Sequence, residues 1–384
     1  MFNLTSKQLE EMKAIYTSKE ILQQPKVWRE LTQNLSDQIE TLRNFIETIY
    51  FKHSNVRIIF TGAGTSAFIG DILVPELRKQ NQEKVQIEAI PTTDIVSNPS
   101  EYLIKNAPTI MVSFARSGNS PESVAAVKLG KDIIDEFYQV VITCNKNGQL
   151  AQNTKDDIKS ITVLTPEAAH DQGFAMTSSF TSMVLAAYLI FSTNVFNVNE
   201  LEQSFSNAEQ LFESINETIE DIVNFDFERI VYLGSGLLGQ LSHEAALKML
   251  ELSAGQVVAI HESSLGFRHG PKSILNEKSV VVLFMSQNPY TRKYDLDILR
   301  ELSEDDLSKI VVLTDKKEDE IEQLADWTIP VGDLANDLYL ALLYVTFAQG
   351  LALKKSIQLG ITPDNPSPDG RVNRVVQGVT IYER

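Results

Sequence analysis

Four short stretches of this chain carry residue types that can do chemistry. "TGAGTSA" (Thr61 to Ala67) and "SFARSGNSPES" (Ser113 to Ser123) combine glycine, small residues and hydroxyls. Each follows an apolar run and precedes apolar residues at helical spacing. A loop that leaves a strand and opens a helix presents backbone N–H groups with no partner inside the helix. Together with the helix dipole these hold an anion. Thr65, Ser66, Ser117 and Ser120 add hydroxyl donors around a single phosphate. The plainer alternative is that Ser120 only caps its helix, with Pro121 at the first helical position. Two such loops at successive strand ends favour the anion.

The other two stretches carry charge. In "HEAALKMLEL", Glu244, Lys248 and Glu251 share one face of a helix. Charges at that spacing ordinarily make a solvated ion-pair stripe. Here Ala245, Ala246, Leu247, Met249 and Leu250 between them are small or apolar, and charges in an otherwise buried helix need a polar cavity to face. "GFRHGP" sets His269 between Arg268 and a Gly-Pro turn, where a structural histidine would also be unexceptional. A rival phosphate reading comes from Gly62 to Ala67 and Gly234 to Gly239, which both fit a dinucleotide fingerprint with Glu88 and Glu262 downstream. A lone Gly-rich fingerprint is weak, and it leaves the hydroxyl-rich loop unexplained.

The elements that must position these residues come as a duplication. "RIIFTGAG" begins at Arg57 and "RIVYLGSG" at Arg229; "IMVSF" ends at Phe114 and "VVVLF" at Phe284; "VVIT" ends at Thr143 and "VVLT" at Thr314. Each copy alternates Val/Ile-rich runs with helical stretches, the pattern of a parallel sheet covered on both faces. Strands are expected at "RIIFTG", "VQIEAI", "TIMVSF", "QVVIT" and "ITVLT", then at "RIVYLG", "QVVAIH", "VVVLF", "IVVLT" and "WTIPV". The fold class is therefore α/β, with two flavodoxin-like domains of five parallel strands each. A helical segment (1–50) with an apolar stripe at Trp28, Leu31, Leu35, Ile39, Leu42 and Ile46 precedes the first copy (51–200). The second copy (201–384) ends in "TPDNPSPDGRVNRVVQGVTIYER", whose turn formers cannot open as a helix and must lie across something.

Composition narrows the function classes. At 384 residues, 43% hydrophobic and 22% charged, the chain suits two globular domains. A net charge of −17 argues against a nucleic-acid partner. No apolar run reaches the roughly 18 residues of a membrane span, and the N-terminus lacks the basic flank of a signal peptide. A cytoplasmic protein is expected. The one cysteine, Cys144, rules out an internal disulfide and reads as a small buried residue. The five histidines are scattered, so no metal site is expected.

Taken together these motifs resemble the tandem sugar isomerase (SIS) domain family, in particular the isomerase half of glucosamine-6-phosphate synthase. "KEILQQP" resembles the lead-in of that half, "GAGTSA" and "SGNSPES" its sugar-phosphate loops, "HEAALKMLEL" its catalytic helix and "RHGP" its ring-opening histidine. "DQGFAMTSSFT" and "SLGFRHGPKS" look most like the galactosamine-6-phosphate deaminase/isomerases, also called tagatose-6-phosphate ketose/aldose isomerases. Two departures matter. An amidotransferase domain with its N-terminal cysteine is absent, so synthesis of an amino sugar is not expected. Gln377 stands where the synthase tail carries a Schiff-base lysine.

The resemblance implies a hexosamine 6-phosphate whose own 2-amino group replaces that lysine. Thr65, Ser66, Ser117 and Ser120, with Arg116 as a further cation, would take the phosphate; Gly64, Thr177, Ser178 and Gln377 are further substrate-site candidates. His269 would open the pyranose, and Glu251 would move a proton between C2 and C1, with Lys248 and Glu244 biasing it. The expected products are tagatose 6-phosphate and ammonium, with no metal or organic cofactor. A nitrogen-free aldose–ketose isomerase and a silent sugar-phosphate sensor are the alternatives. The family's borrowed histidine implies a homodimer or higher homo-oligomer.

Overall fold

In a computed structural model of the chain, residues 3–80, 85–194, 197–334, 336–376 and 378–383 are described. Among these residues the strands fall where the Val/Ile-rich runs predict them. β1 (Val56–Thr61), β2 (Val85–Ala89), β3 (Thr109–Ala115), β4 (Phe137–Thr143) and β5 (Ser160–Leu164) make a parallel sheet in the order β2-β1-β3-β4-β5. β6 (Arg229–Gly234), β7 (Val258–Ser263), β8 (Ser279–Phe284), β9 (Lys309–Thr314) and β10 (Trp327–Pro330) make a second, in the order β10-β9-β8-β6-β7. Read from its other edge, the second order repeats the first.

Central strands β1, β3, β4 and β8 are buried along their whole length. A strand covered on both faces needs apolar residues at every position, which is why these segments read as continuous runs and not as alternation. In the first sheet one face packs Ile59, Met111 and Val141 against Ala126 and Val127 of the helix Pro121–Ile133. The other face sets Phe60 edge-on to Phe191 of the helix Ser178–Phe191, with ring centroids 5.1 Å apart. In the second sheet Val231, Leu283 and Val312 pack on Ile298, Leu299 and Leu302 of the helix Thr291–Asp305. On its opposite face Phe284 stacks on Tyr344 of the helix Asp337–Gln358 at 5.4 Å. Among the described residues no helix is long and apolar enough to cross a membrane.

The chain divides into two compact units that do not follow chain order. One holds the first sheet and comprises Lys26–Asp171, Ser178–Phe196 and Asp369–Arg384; the other holds the second sheet and comprises Met1–Pro25, Gln172–Thr177 and Asn197–Pro368. The N-terminal helical segment is thus shared between them at Pro25 and Lys26. In the first unit the stripe residues Trp28, Leu31, Leu35, Leu42 and Ile46 are buried, and the Trp28 indole donates to the Thr181 hydroxyl at 2.9 Å.

The tail, expected to lie across something, does so in both units. In the second unit it supplies a helix cap. The helix Ile15–Leu22 begins after Ala14, which has no side chain to cap it. The Asp364 carboxylate instead accepts from the N–H groups of Tyr16 (3.1 Å) and Thr17 (2.8 Å) and from the Thr17 hydroxyl (2.7 Å). A carboxylate on a helix N-terminus satisfies orphan donors and complements the dipole. Replacing Asp364 by Ala is expected to lower stability by about 1–2 kcal/mol, measured as a lower midpoint in denaturant titration; an unchanged midpoint would show that water replaces the cap.

Candidate active site

At the carboxyl end of the first sheet, β1 turns through Gly62 and Gly64 into the helix Thr65–Gln80, and β3 runs through Arg116–Ser120 into the helix Pro121–Ile133. Gly64 has φ +56°, a left-handed turn that brings buried Thr65 and Ser66 to the strand end. The second loop is fixed by the segment after β4. Thr143 Oγ1 donates to the Ala115 carbonyl at 2.6 Å, Asn145 Nδ2 to that of Ser117 at 2.8 Å, and the Leu150 N–H to that of Gly118 at 3.1 Å. In a trans peptide the N–H points opposite to the C=O. With those carbonyls held by the segment after β4, the N–H groups of Arg116 and Gly118 point the other way, away from that segment. A Cβ on Gly148 would stand 2.5 Å from the Ser117 carbonyl oxygen, so only glycine permits this brace.

Ser120 occupies the N-cap position with Pro121 following, but its hydroxyl makes no cap bond; it donates to Ser123 Oγ at 2.8 Å. The capping alternative therefore does not describe its side chain. Arg116 is buried and donates to the carbonyl of Arg374 at 2.7 Å, while the Arg374 guanidinium donates to the Asp171 carbonyl. The tail thereby lies across the carboxyl end of β3 in this unit. The Asp171 carboxylate caps the helix Ser178–Phe191, accepting from the N–H groups of Ser178 (3.1 Å) and Ser179 (2.9 Å). Ser178 thus has its N–H committed to the cap. Thr177, equally buried, belongs to the other unit, and Gln377 lies outside the described residues. Burial pushes the Cys144 thiol up to about 12, so it is the inert core residue expected.

The second copy repeats the turn at Gly234–Gly236 but fills the cradle with its own anions. Asp295 accepts from the hydroxyls of Ser235 (2.5 Å) and Ser264 (2.6 Å) and from the N–H of Ser286 (3.0 Å). Asp337 accepts from the Ser286 hydroxyl (2.6 Å) and the Gln287 N–H (2.9 Å). Donors at the ends of β6, β7 and β8 are therefore spent on internal carboxylates. The acidic residues of the dinucleotide reading are also engaged, Glu88 in an ion pair with Arg57 and Glu262 with the Ser263 N–H.

The second copy instead carries the buried charges. Glu244, Lys248 and Glu251 lie on the helix Leu237–Leu252, with Lys248 Nζ 2.6 Å from Glu251 Oε2 and 3.3 Å from Glu244 Oε1. Side chains of Lys248 and Glu244 have no exposure at all, whereas Glu251 is 24% exposed. The solvated-stripe reading is excluded for the first two. Leu250, expected to be buried, is exposed, whereas Ala245, Ala246 and Met249 are buried. Burial works to lower the Lys248 pKa, but the two carboxylates outweigh it and the net shift is upward. Of this trio Glu251 alone reaches solvent. His269 stands on an exposed loop after β7, bonded through its N–H to the Gly266 carbonyl at 2.9 Å, with no ion pair to the trio among the described residues. Sequence reasoning missed Asp171, which caps a helix seven residues on, and Arg374, Asp295 and Asp337, which reach partners far away in the chain.

Replacing Lys248 by Met would leave Glu244 as a buried charge without its cation. The expected cost is about 3–5 kcal/mol, read as an early unfolding transition, while a protein as stable as the parent would mean that Glu244 is protonated in the fold.

These features have counterparts in known proteins. A family model described as the SIS domain matches residues 50–193 and 225–357. Over 383 residues, 99% of this chain and 95% of the other, the sequence is 44% identical to a protein of Shewanella sp. (strain ANA-3) named D-galactosamine-6-phosphate deaminase AgaS. A solved structure from Clostridium novyi NT superposes with a TM-score of 0.95 at 40% identity, covering 100% of this chain and 99% of that one. Tagatose-6-phosphate ketose/aldose isomerase from Escherichia coli superposes with a TM-score of 0.88 at 38% identity, covering 96% of each chain. Matched in both copies and along nearly its whole length, the chain belongs to the SIS domain family.

Proposed function

We propose that the protein catalyses the isomerising deamination of a hexosamine 6-phosphate, converting galactosamine 6-phosphate to tagatose 6-phosphate and ammonium. The observation that carries this reading is the likeness, along 99% of the chain, to a protein named as a D-galactosamine-6-phosphate deaminase. The filling of the second cradle by its own carboxylates, Asp295 and Asp337, supports placing the phosphate in the first copy. The first copy offers donors to an anion and takes the phosphate on Thr65, Ser66, Ser117 and Ser120, with the charge of Arg116 beside them. Gly64, Thr177, Ser178 and Gln377 are assigned to the rest of the sugar.

His269 takes the O1 proton and returns it to O5 as the C1–O5 bond breaks. Glu251 then takes the C2 proton as O1 gains a proton from solvent, giving an enolamine, and delivers it to C1, giving a 2-iminium ion that water hydrolyses to ketone and ammonium. Lys248 holds one oxygen of Glu251 and Glu244 holds Lys248, which leaves the second Glu251 oxygen for the substrate. The negative charge that develops on removal of the C2 proton spreads onto O1, and the positive charge that follows protonation of C1 is carried by the substrate nitrogen. A plain aldose–ketose isomerase is the second reading, favoured by the name of the Escherichia coli structure. We take the working form to be a homo-oligomer, in keeping with the exposed Leu250, Val258 and Leu265 of the second unit. The setting is taken to be the cytoplasm, in keeping with a single buried cysteine.

Incubation with galactosamine 6-phosphate should release ammonium and tagatose 6-phosphate one to one. The Ser117→Ala/Ser120→Ala protein should show a KM raised by about one to two orders of magnitude, each lost bond to a charged group being worth about 1.5–3 kcal/mol. Ketose formation without ammonium would favour the plain isomerase, and an unchanged KM would remove the phosphate from this loop.

A further inference from the structure

His269 is exposed, so its ring is not held by packing; what fixes it must lie in the residues on either side. Arg268, before it, donates through Nε to Glu301 at 2.5 Å and through Nη2 to Asp297 at 2.9 Å. Lys272, after it, forms ion pairs with Glu301 and Asp305. Asp297, Glu301 and Asp305 stand one turn apart on the helix Thr291–Asp305, so they form one acidic row. The same helix packs Ile298, Leu299 and Leu302 against fully buried Phe267. The loop is therefore anchored by an apolar side chain beneath and by two cations flanking the histidine. Glu301 is the only carboxylate of the row that grips both cations, and their hydrogen bonds, Lys272 first and Arg268 second, hold its carboxyl below the usual range.

We propose that Glu301 is a positioning residue for ring opening: by tying Arg268 and Lys272 to one point it fixes where the His269 imidazole stands. The proposal rests on the reading of His269 as the group that moves the proton from O1 to O5. An isolated exposed ion pair contributes little. Here one carboxylate joins two cations of the same loop, so its loss frees both arms at once. A misplacement of about 1 Å at a reacting group costs up to about a hundredfold in rate.

The test uses full-length protein in which Glu251→Gln has stopped the later proton transfer, so that ring opening is seen alone. Anomer interconversion of galactosamine 6-phosphate labelled with carbon-13 at C1 is followed by exchange NMR. Adding Glu301→Gln should slow enzyme-catalysed interconversion by about tenfold or more, with sugar-phosphate affinity and Tm nearly unchanged. Asp305→Asn, which loosens only Lys272, should give a smaller fall. Salt near 1 M, which screens such pairs, should slow the parent more than the Glu301→Gln protein. His269→Asn sets the floor. If His269→Asn leaves interconversion untouched, the role of His269 fails and the positioning claim with it. If His269→Asn abolishes it but Glu301→Gln and Asp305→Asn run at the parent rate, the role of His269 stands and the positioning claim is wrong.

Discussion

An ammonium with no exposure to water is the constraint on which the second copy turns. Removing such a charge from water costs several kcal/mol even after relaxation, so Lys248 can exist only where carboxylates neutralise it. The helix Leu237–Leu252 supplies them from its own face, one turn before and nearly one turn after. The long apolar helix Asp337–Gln358 packs on that helix. Two carboxylates against one cation leave a net negative charge, and that surplus lies towards the solvent-exposed end, at Glu251. A base poised for proton abstraction needs this combination of a fixed oxygen and an accessible one.

The two sheets share one strand order but differ in what fills their loops. Both copies have the strand order, the glycine turn and the loop after the central strand that make an anion site in open parallel sheets. In the second copy Asp295 and Asp337 consume the donors, and Arg292 braces the arrangement through Asp315 and Glu318. In the first copy the carbonyls of the loop are turned into the segment after β4. The second copy carries a buried charge cluster on its helix Leu237–Leu252 instead.

Much of this was legible in the sequence because strands buried on both faces announce themselves as unbroken apolar runs. "RIIFTG" and "RIVYLG" lie on β1 and β6, and the Val/Ile-rich runs predict all five strands of each sheet. The charge spacing of Glu244, Lys248 and Glu251 was equally plain, since helical neighbours are close in sequence. What could not be read were partnerships made through space. Asp364 caps a helix more than three hundred residues away, and Asp295 takes its donors from three different loops. Ser120 shows the same limit at short range: its position was that of a cap, but its hydroxyl turned to Ser123. The exposure of Leu250 depends on which side of a helix finds a neighbour, and composition alone does not say.

The claim at the centre of this account is that Glu251 carries the proton between C2 and C1. It is tested most directly by following the washout of deuterium from galactosamine 6-phosphate labelled at C2, catalysed by the Glu251→Gln protein in ordinary water. The amide keeps the shape of the side chain and loses its basicity, so the account predicts bound sugar phosphate with no washout above the uncatalysed rate. Washout at the rate of the parent enzyme would contradict it and assign the proton transfer to another group.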